Sequence, residues 1–155
     1  MLLLLLGCAL GTLATKGASA PPAHGSLTVD GLHWPVRILR DGLGVPHIRA
    51  EDEHDLWFSI GFVHAQDRLF QMDLVRRIGA GRVAAWLGPD FVPFDSFMGG
   101  LEMDRRYQER MPGLDPALLE VGQAYADGVN AGAASLPELP VEYRLLGVDF
   151  EPWRK

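Results

Sequence analysis

The run from Glu51 to Ile78 constrains this chain more than any other feature. Glu51, Asp52, Glu53 and Asp55 crowd its start, Arg76 and Arg77 close it, and Gly79 and Gly81 follow. Negative charge at the positive end of a helix dipole, positive charge at the negative end and glycine beyond predict one long helix over 51–78. A helix of that length needs other elements to cover its apolar stripe. Leu56, Ile60, Val63, Phe70 and Leu74 recur in alternating steps of four and three, and the step between Val63 and Phe70 falls on Asp67. Taking an unpaired carboxylate out of water costs several kcal/mol, so Asp67 is expected to be paired with a basic side chain from another element. A second reading sets His64 and Asp67, three apart on one face, as an acid/base or orienting pair. The structural ion pair is favoured, because buried polar clusters that hold a register outnumber those that turn over substrate.

The segments around this helix read clearly. Val36–Arg40 and Val45–Arg49 are two short strands joined by the turn Asp41-Gly42-Leu43-Gly44, with Pro46 suited to an edge position. Val83–Leu87 forms a further helical turn closed by Gly88-Pro89, and 90–100 reads as a loop rich in Phe, Pro and Gly. Helix resumes over 102–110. Asp115-Pro116 is a helix start with a capping carboxylate and proline in the first turn, and Leu118, Val121, Tyr125 and Val129 carry that helix to about Ala134. A last helix over 140–146 stops at Gly147, before an extended tail to Trp153. The fold class is therefore α+β, predominantly helical with a short N-terminal hairpin.

Composition excludes several functions. The formal net charge of -6 leaves no basic stripe for nucleic acid. Cys8, the only cysteine, rules out an internal disulfide framework and any CxxC site. The histidines His24, His33, His47, His54 and His64 contain no HExxH and no pair four apart on one helix, so no metal site is assigned to this chain. None of Ser19, Ser26, Ser59, Ser96 and Ser135 sits in GxSxG, and Gly79-x-Gly81 follows a helix, as a terminator does and a phosphate cradle does not.

Residues 1–20 read as an export leader, because the Leu2–Leu6 run is too short to span a bilayer. Two processing readings stand. Ala18-Ser19-Ala20 is a small-x-small cleavage pattern, although Pro21 just beyond it suits signal peptidase poorly; Leu5-Leu6-Gly7-Cys8 resembles a lipobox, which would tie the chain to a membrane through Cys8, although no basic stretch precedes it. Residues 21–26 form a linker and 27–155 the folded part. An exported location, periplasmic or extracellular, follows from either reading.

More specific signals lie within the folded part. Ile38-Leu39-Arg40-Asp41 with Gly44-Val45-Pro46-His47-Ile48, then GFVHAQDRLFQMD over 61–73, Arg76-Arg77 and Gly81-Arg82 come in a fixed order. Ala124-Tyr125-Ala126-Asp127-Gly128-Val129-Asn130-Ala131, Pro140–Gly147 and Pro152-Trp153 follow. In this order and rough spacing the chain resembles the opening of the penicillin acylase family, over about Val36 to Trp153. The resemblance implies an N-terminal nucleophile hydrolase with a four-layer αββα core, made as a precursor that cuts itself into α and β chains. In that family a linear amide, such as a β-lactam side chain or an N-acyl homoserine lactone, is cleaved through an acyl-enzyme on the β chain's first residue, a serine whose own amino group is the base. The resemblance covers only the front of the α chain. It implies the β chain as partner, an acyl amide as substrate, and calcium only through residues beyond Trp153. No catalytic, cofactor-binding or metal residue is carried over. Asp41, His47, His64, Asp67, Arg68 and Arg76 match the family pattern and are read as fold-holding. The other reading, from a different class, is a truncated remnant or exported binding module.

Overall fold

The computed structural model describes residues 25–154; the leader with Cys8, and linker residues 21–24, lie outside this range. Strands β1 (Arg37–Arg40) and β2 (Pro46–Arg49) pair antiparallel, with Ile38 opposite Ile48 and Arg40 opposite Pro46. The turn is built by Asp41. Its Oδ1 accepts from the Leu43 and Val45 backbone N–H groups at 2.9 Å each, while Gly44, at φ +81°, supplies the left-handed residue that lets the chain reverse.

Helix α1 (Glu53–Gly79) follows. Asp52 is its N-cap and accepts from the Asp55 N–H. It ends where the glycines predicted, with Ala80 as C-cap and Gly81 at φ +62°. Then come α2 (Ala84–Leu87), a 3-10 turn (Pro89–Phe91), α3 (Val92–Gly100), α4 (Met103–Arg110), α5 (Pro116–Ala134, N-capped by Asp115) and α6 (Val141–Leu146, closed by Gly147 at φ +65°).

One element departs from expectation. The stretch read as a loop over 90–100 is mostly α3. Its breakers lie at the ends, with Pro93 in the first turn where no donor is lost and Gly99-Gly100 at the close, so the interior Phe94–Met98 is free to wind. Asp95 of α3 also accepts from Val83 N at 2.9 Å and Ala84 N at 2.7 Å, which caps the start of α2 from a different element.

The centre of the molecule is the crossing of α1 and α5. A Cβ added to Gly128 would stand 1.9 Å from the Phe58 carbonyl oxygen, one on Gly61 2.2 Å from that of Tyr125, and one on Gly132 2.5 Å from that of Phe62. The two backbones touch because these three positions carry no side chain. The core lies on both sides of this seam. Phe58, Phe62 and Val63 pack under Ile38 and Ile48 of the hairpin, and Ala65, Leu69, Trp86, Val129, Ala133 and Tyr143 form the larger cluster toward the C-terminal tail. No helix among the described residues is long and apolar enough to cross a membrane.

Candidate functional site

The stripe read from the sequence is partly displaced. Val63 is in the core and Phe70 and Leu74 pack against it, but Leu56 is exposed and Ile60 only half-buried, and the buried face of α1 also runs through Phe58, Phe62, Ala65, Leu69, Asp73 and Arg77. Two features explain the shift: the glycine seam draws the Gly61 face against α5, and Arg68 leaves helical geometry (φ -144°, ψ 22°), which kinks α1 and resets its register. Asp67 is consequently not buried. It is paired as expected, at 2.9 Å to Arg40 from β1, but at the surface, where such a pair is worth at most about 1 kcal/mol. His64 does not meet Asp67. Its Nδ1 lies 3.0 Å from the Tyr125 hydroxyl on α5, so the acid/base pairing of His64 with Asp67 is not formed.

The carboxylates that are buried are Asp55 and Asp73, which the periodicity did not single out. Asp73 anchors the larger network. Its Oδ1 accepts from Arg76 Nε at 3.0 Å and its Oδ2 from the Tyr143 hydroxyl at 3.0 Å. Burial, then the Asp73 charge, pushes the Tyr143 phenol well above its ordinary range, so it remains a donor. Arg76 also donates to the Glu151 and Pro152 carbonyls, and Arg77, its guanidinium 4.0 Å above the Trp86 ring, pairs with Glu151 at 2.9 Å. Asn130 closes the arrangement by accepting from Trp153 N and donating to Trp153 O. The tail 148–153 is thus strapped across α1 and α5. The clue in the sequence was the i, i+4, i+8 spacing of Leu69, Asp73 and Arg77.

Asp55 anchors the other end. It accepts from the backbone N–H groups of His33 at 2.9 Å and Trp34 at 2.7 Å, tying the segment before β1 to the first turn of α1. Burial raises its carboxyl, but the donors from His33, His54 and Trp34 outweigh that and hold it below the usual range. The remaining matched residues are structural in placement. His47 Nε2 lies 3.2 Å from Asp41 Oδ2, and Arg68 reaches only its neighbour's carbonyl, at 3.5 Å, from the kink.

These networks join carboxylates to cations and backbone donors, which is the chemistry of fastening. The Ser96 and Ser135 hydroxyls donate to carbonyls of their own helices, at Val92 and Gly132. A depression of about 410 Å³ between α5 and the tail is lined mainly by apolar groups, with Asn130 and Asp149 at its edge. By contrast, Phe97 of α3 (65% exposed), Leu101 at the junction, and Met103 and Tyr107 of α4 are exposed to solvent.

Comparison with known proteins fits this closely fastened fold. The family model for penicillin amidase matches residues 35–155. The chain belongs to the penicillin amidase family. It is 47% identical over 136 residues to the penicillin acylase 2 proenzyme of Pseudomonas sp. strain SE83, covering 88% of this chain and 18% of that protein. To the acyl-homoserine lactone acylase QuiP of Pseudomonas aeruginosa it is 34% identical over 137 residues, covering 88% of this chain and 16% of that one. A solved thermostable penicillin G acylase from Alcaligenes faecalis superposes with a TM-score of 0.71 at 35% identity, over 77% of this chain and 65% of that chain. The mostly helical fold with its two-stranded hairpin is thus a penicillin acylase fold. The chain spans less than a fifth of the length of these two curated relatives.

Proposed function

We propose that this chain is the front of the α chain of an exported amidohydrolase. The complete protein cleaves a linear amide of an acylated substrate, of the β-lactam side-chain or N-acyl homoserine lactone kind, through an acyl-enzyme on a serine that begins a β chain. The observation that carries the proposal is the 47% identity to a penicillin acylase proenzyme over most of this chain. The physical picture supports it: the described residues spend their charges on fastening, and the apolar side chains of α3 and α4 await a cover, which the β chain from the same precursor provides.

On this reading the α1–α5 pair is a rigid frame, and calcium, where the complete enzyme carries it, is held by residues beyond this chain. Export proceeds through the 1–20 leader, with the mass of the mature N-terminus distinguishing cleavage after Ala20 from lipidation at Cys8. The test is to express the protein from its full reading frame and follow its size. The expected result is conversion of one precursor into two tightly associated chains, the second beginning with serine. A reading frame that stops soon after Lys155 would overturn the proposal in favour of a remnant or binding module.

A further inference from the structure

Four potential metal ligands that the sequence scatters over two segments converge at the start of α1. His33 comes from the segment before β1, Asp52 is the N-cap of α1, and His54 and Asp55 belong to its first turn. One nitrogen or oxygen from each lies within 4.8 Å of all the others. A search for two histidines on one helix cannot find this arrangement, because the partners lie on different elements.

We infer that His33, Asp52, His54 and Asp55 form a binding site for a divalent transition cation of the zinc class, which clips the segment before β1 to the head of α1. Three properties of the cluster argue for it. First, two of the donor pairs already stand near ligand separation, His33 Nδ1 2.8 Å from Asp52 Oδ2 and His54 Nδ1 3.0 Å from Asp55 Oδ1, and the full set, within 4.8 Å, closes onto one ion by a small contraction. Neighbouring donors on an ion with bonds of about 2.0–2.2 Å are separated by roughly 2.9–3.5 Å. Second, both carboxylates are already aimed. Asp52 Oδ1 is held by the Asp55 N–H at 2.8 Å, and Asp55 is held by the two N–H groups of His33 and Trp34, so backbone donors provide the outer shell that orients metal ligands. Third, the donor set is two imidazoles and two carboxylates, which suits zinc, cobalt or nickel and not the all-oxygen shell that calcium takes.

The charges also balance. Two carboxylates offset a divalent cation, and they outweigh the positive end of the α1 dipole, which acts against it. The imidazole rings stack at 4.1 Å with an angle of 16° between their planes, so two in-plane lone pairs do not yet converge on one point. The His33 side chain is 56% exposed and is free to turn toward the ion, whereas Asp55 is fully buried and fixed. Metal entry therefore replaces the two histidine–carboxylate contacts by four bonds to the ion and leaves the backbone contacts in place.

The test uses the complete protein, stripped with a chelator and titrated with zinc by calorimetry, alongside His33→Ala and His54→Ala. His33 is at the surface, so its variant leaves the fold intact. Cobalt provides a second readout through its visible absorption. The expected result is a site whose zinc affinity falls roughly tenfold or more in each variant, with cobalt absorption lost in parallel and slower amide exchange at His33 and Trp34 when zinc is bound. Absence of such a site, or zinc binding of equal strength in the parent and both variants, overturns the inference. So does a site that is weakened in both variants yet prefers calcium to zinc.

Discussion

Replacing Gly128 by alanine tests the claim that backbone contact between α1 and α5 organises this fold. The new Cβ would lie 1.9 Å from the Phe58 carbonyl oxygen, 2.7 Å from its carbon and 2.9 Å from its Cα. Ordinary contact begins at 3.4 Å, so the axes must part by a distance on the order of 1.5 Å, and all three clashing atoms are backbone that cannot rotate away. Overpacking of this sort costs about 1–3 kcal/mol, and forced separation of the seam places Gly128→Ala at the upper end. Against it stands the helix propensity of alanine over glycine, worth about 1 kcal/mol in favour. A net loss of about 1–2 kcal/mol is expected. Gly122, on the same helix with nothing within 4 Å of its Cβ position, is the matched control. Gly122→Ala carries the propensity gain without the clash and should stabilise by about 0.5–1 kcal/mol. Native-state hydrogen exchange of the α1 and α5 amides in the complete protein reads both changes locally. Equal stabilisation by the two substitutions would refute the close-crossing argument.

The other predictions concern the fastenings. Tyr143→Phe removes the hydroxyl that donates to buried Asp73 and should cost about 1.5–3 kcal/mol, read as faster exchange in α6 and the tail; an unchanged rate would show that Arg76 alone satisfies the carboxylate. Arg40→Met removes the surface pair with Asp67 together with exposed hydrogen bonds to the Gly44 carbonyl and the Gln66 amide oxygen, and should shift stability by no more than about 1 kcal/mol in thermal denaturation, whereas a loss several times larger would restore Asp67 as a buried charge. The Glu151 carboxyl is held below its ordinary value by the hydrogen bond from Arg77 and then by the charge of Arg77. A lowered folded-state value means that its stabilisation is present above the ordinary Glu range and is lost as pH falls through the folded-state value. Trp153 fluorescence should report the strap loosening in that acid window in the parent and not in Glu151→Gln, and identical acid profiles would contradict this.

Much of the fold was legible because its signals are local. Asp41 and Gly44 specify the hairpin turn, Asp115-Pro116 the start of α5, Gly81 the end of α1 and Gly147 the end of α6; each acts through backbone geometry within a few residues. The buried face of α1 was legible only in part, at Val63, Phe70 and Leu74, because the rest is set by Gly61 meeting α5 some sixty residues away and by the break at Arg68. A search for large apolar residues passes over a seam made of glycine and alanine. Asp67 was correctly read as paired and incorrectly placed inside, since its partner Arg40 reaches it from the hairpin at the rim. The helix α3 was hidden by counting breakers without regard to their position at its ends. His33 and His54 are brought into a stack by the Asp55 clasp, a contact across twenty-two residues that spacing on one element does not reveal.

Amide hydrolysis by the complete protein tests the central claim most directly. The purified, processed protein should release free carboxylic acid and amine from at least one member of a panel of side-chain acylated β-lactams and N-acyl homoserine lactones, and substitution of the serine at the new β-chain terminus should abolish the release. A complete protein that processes into two chains yet hydrolyses none of these amides, or one that still hydrolyses them without that serine, would contradict the account.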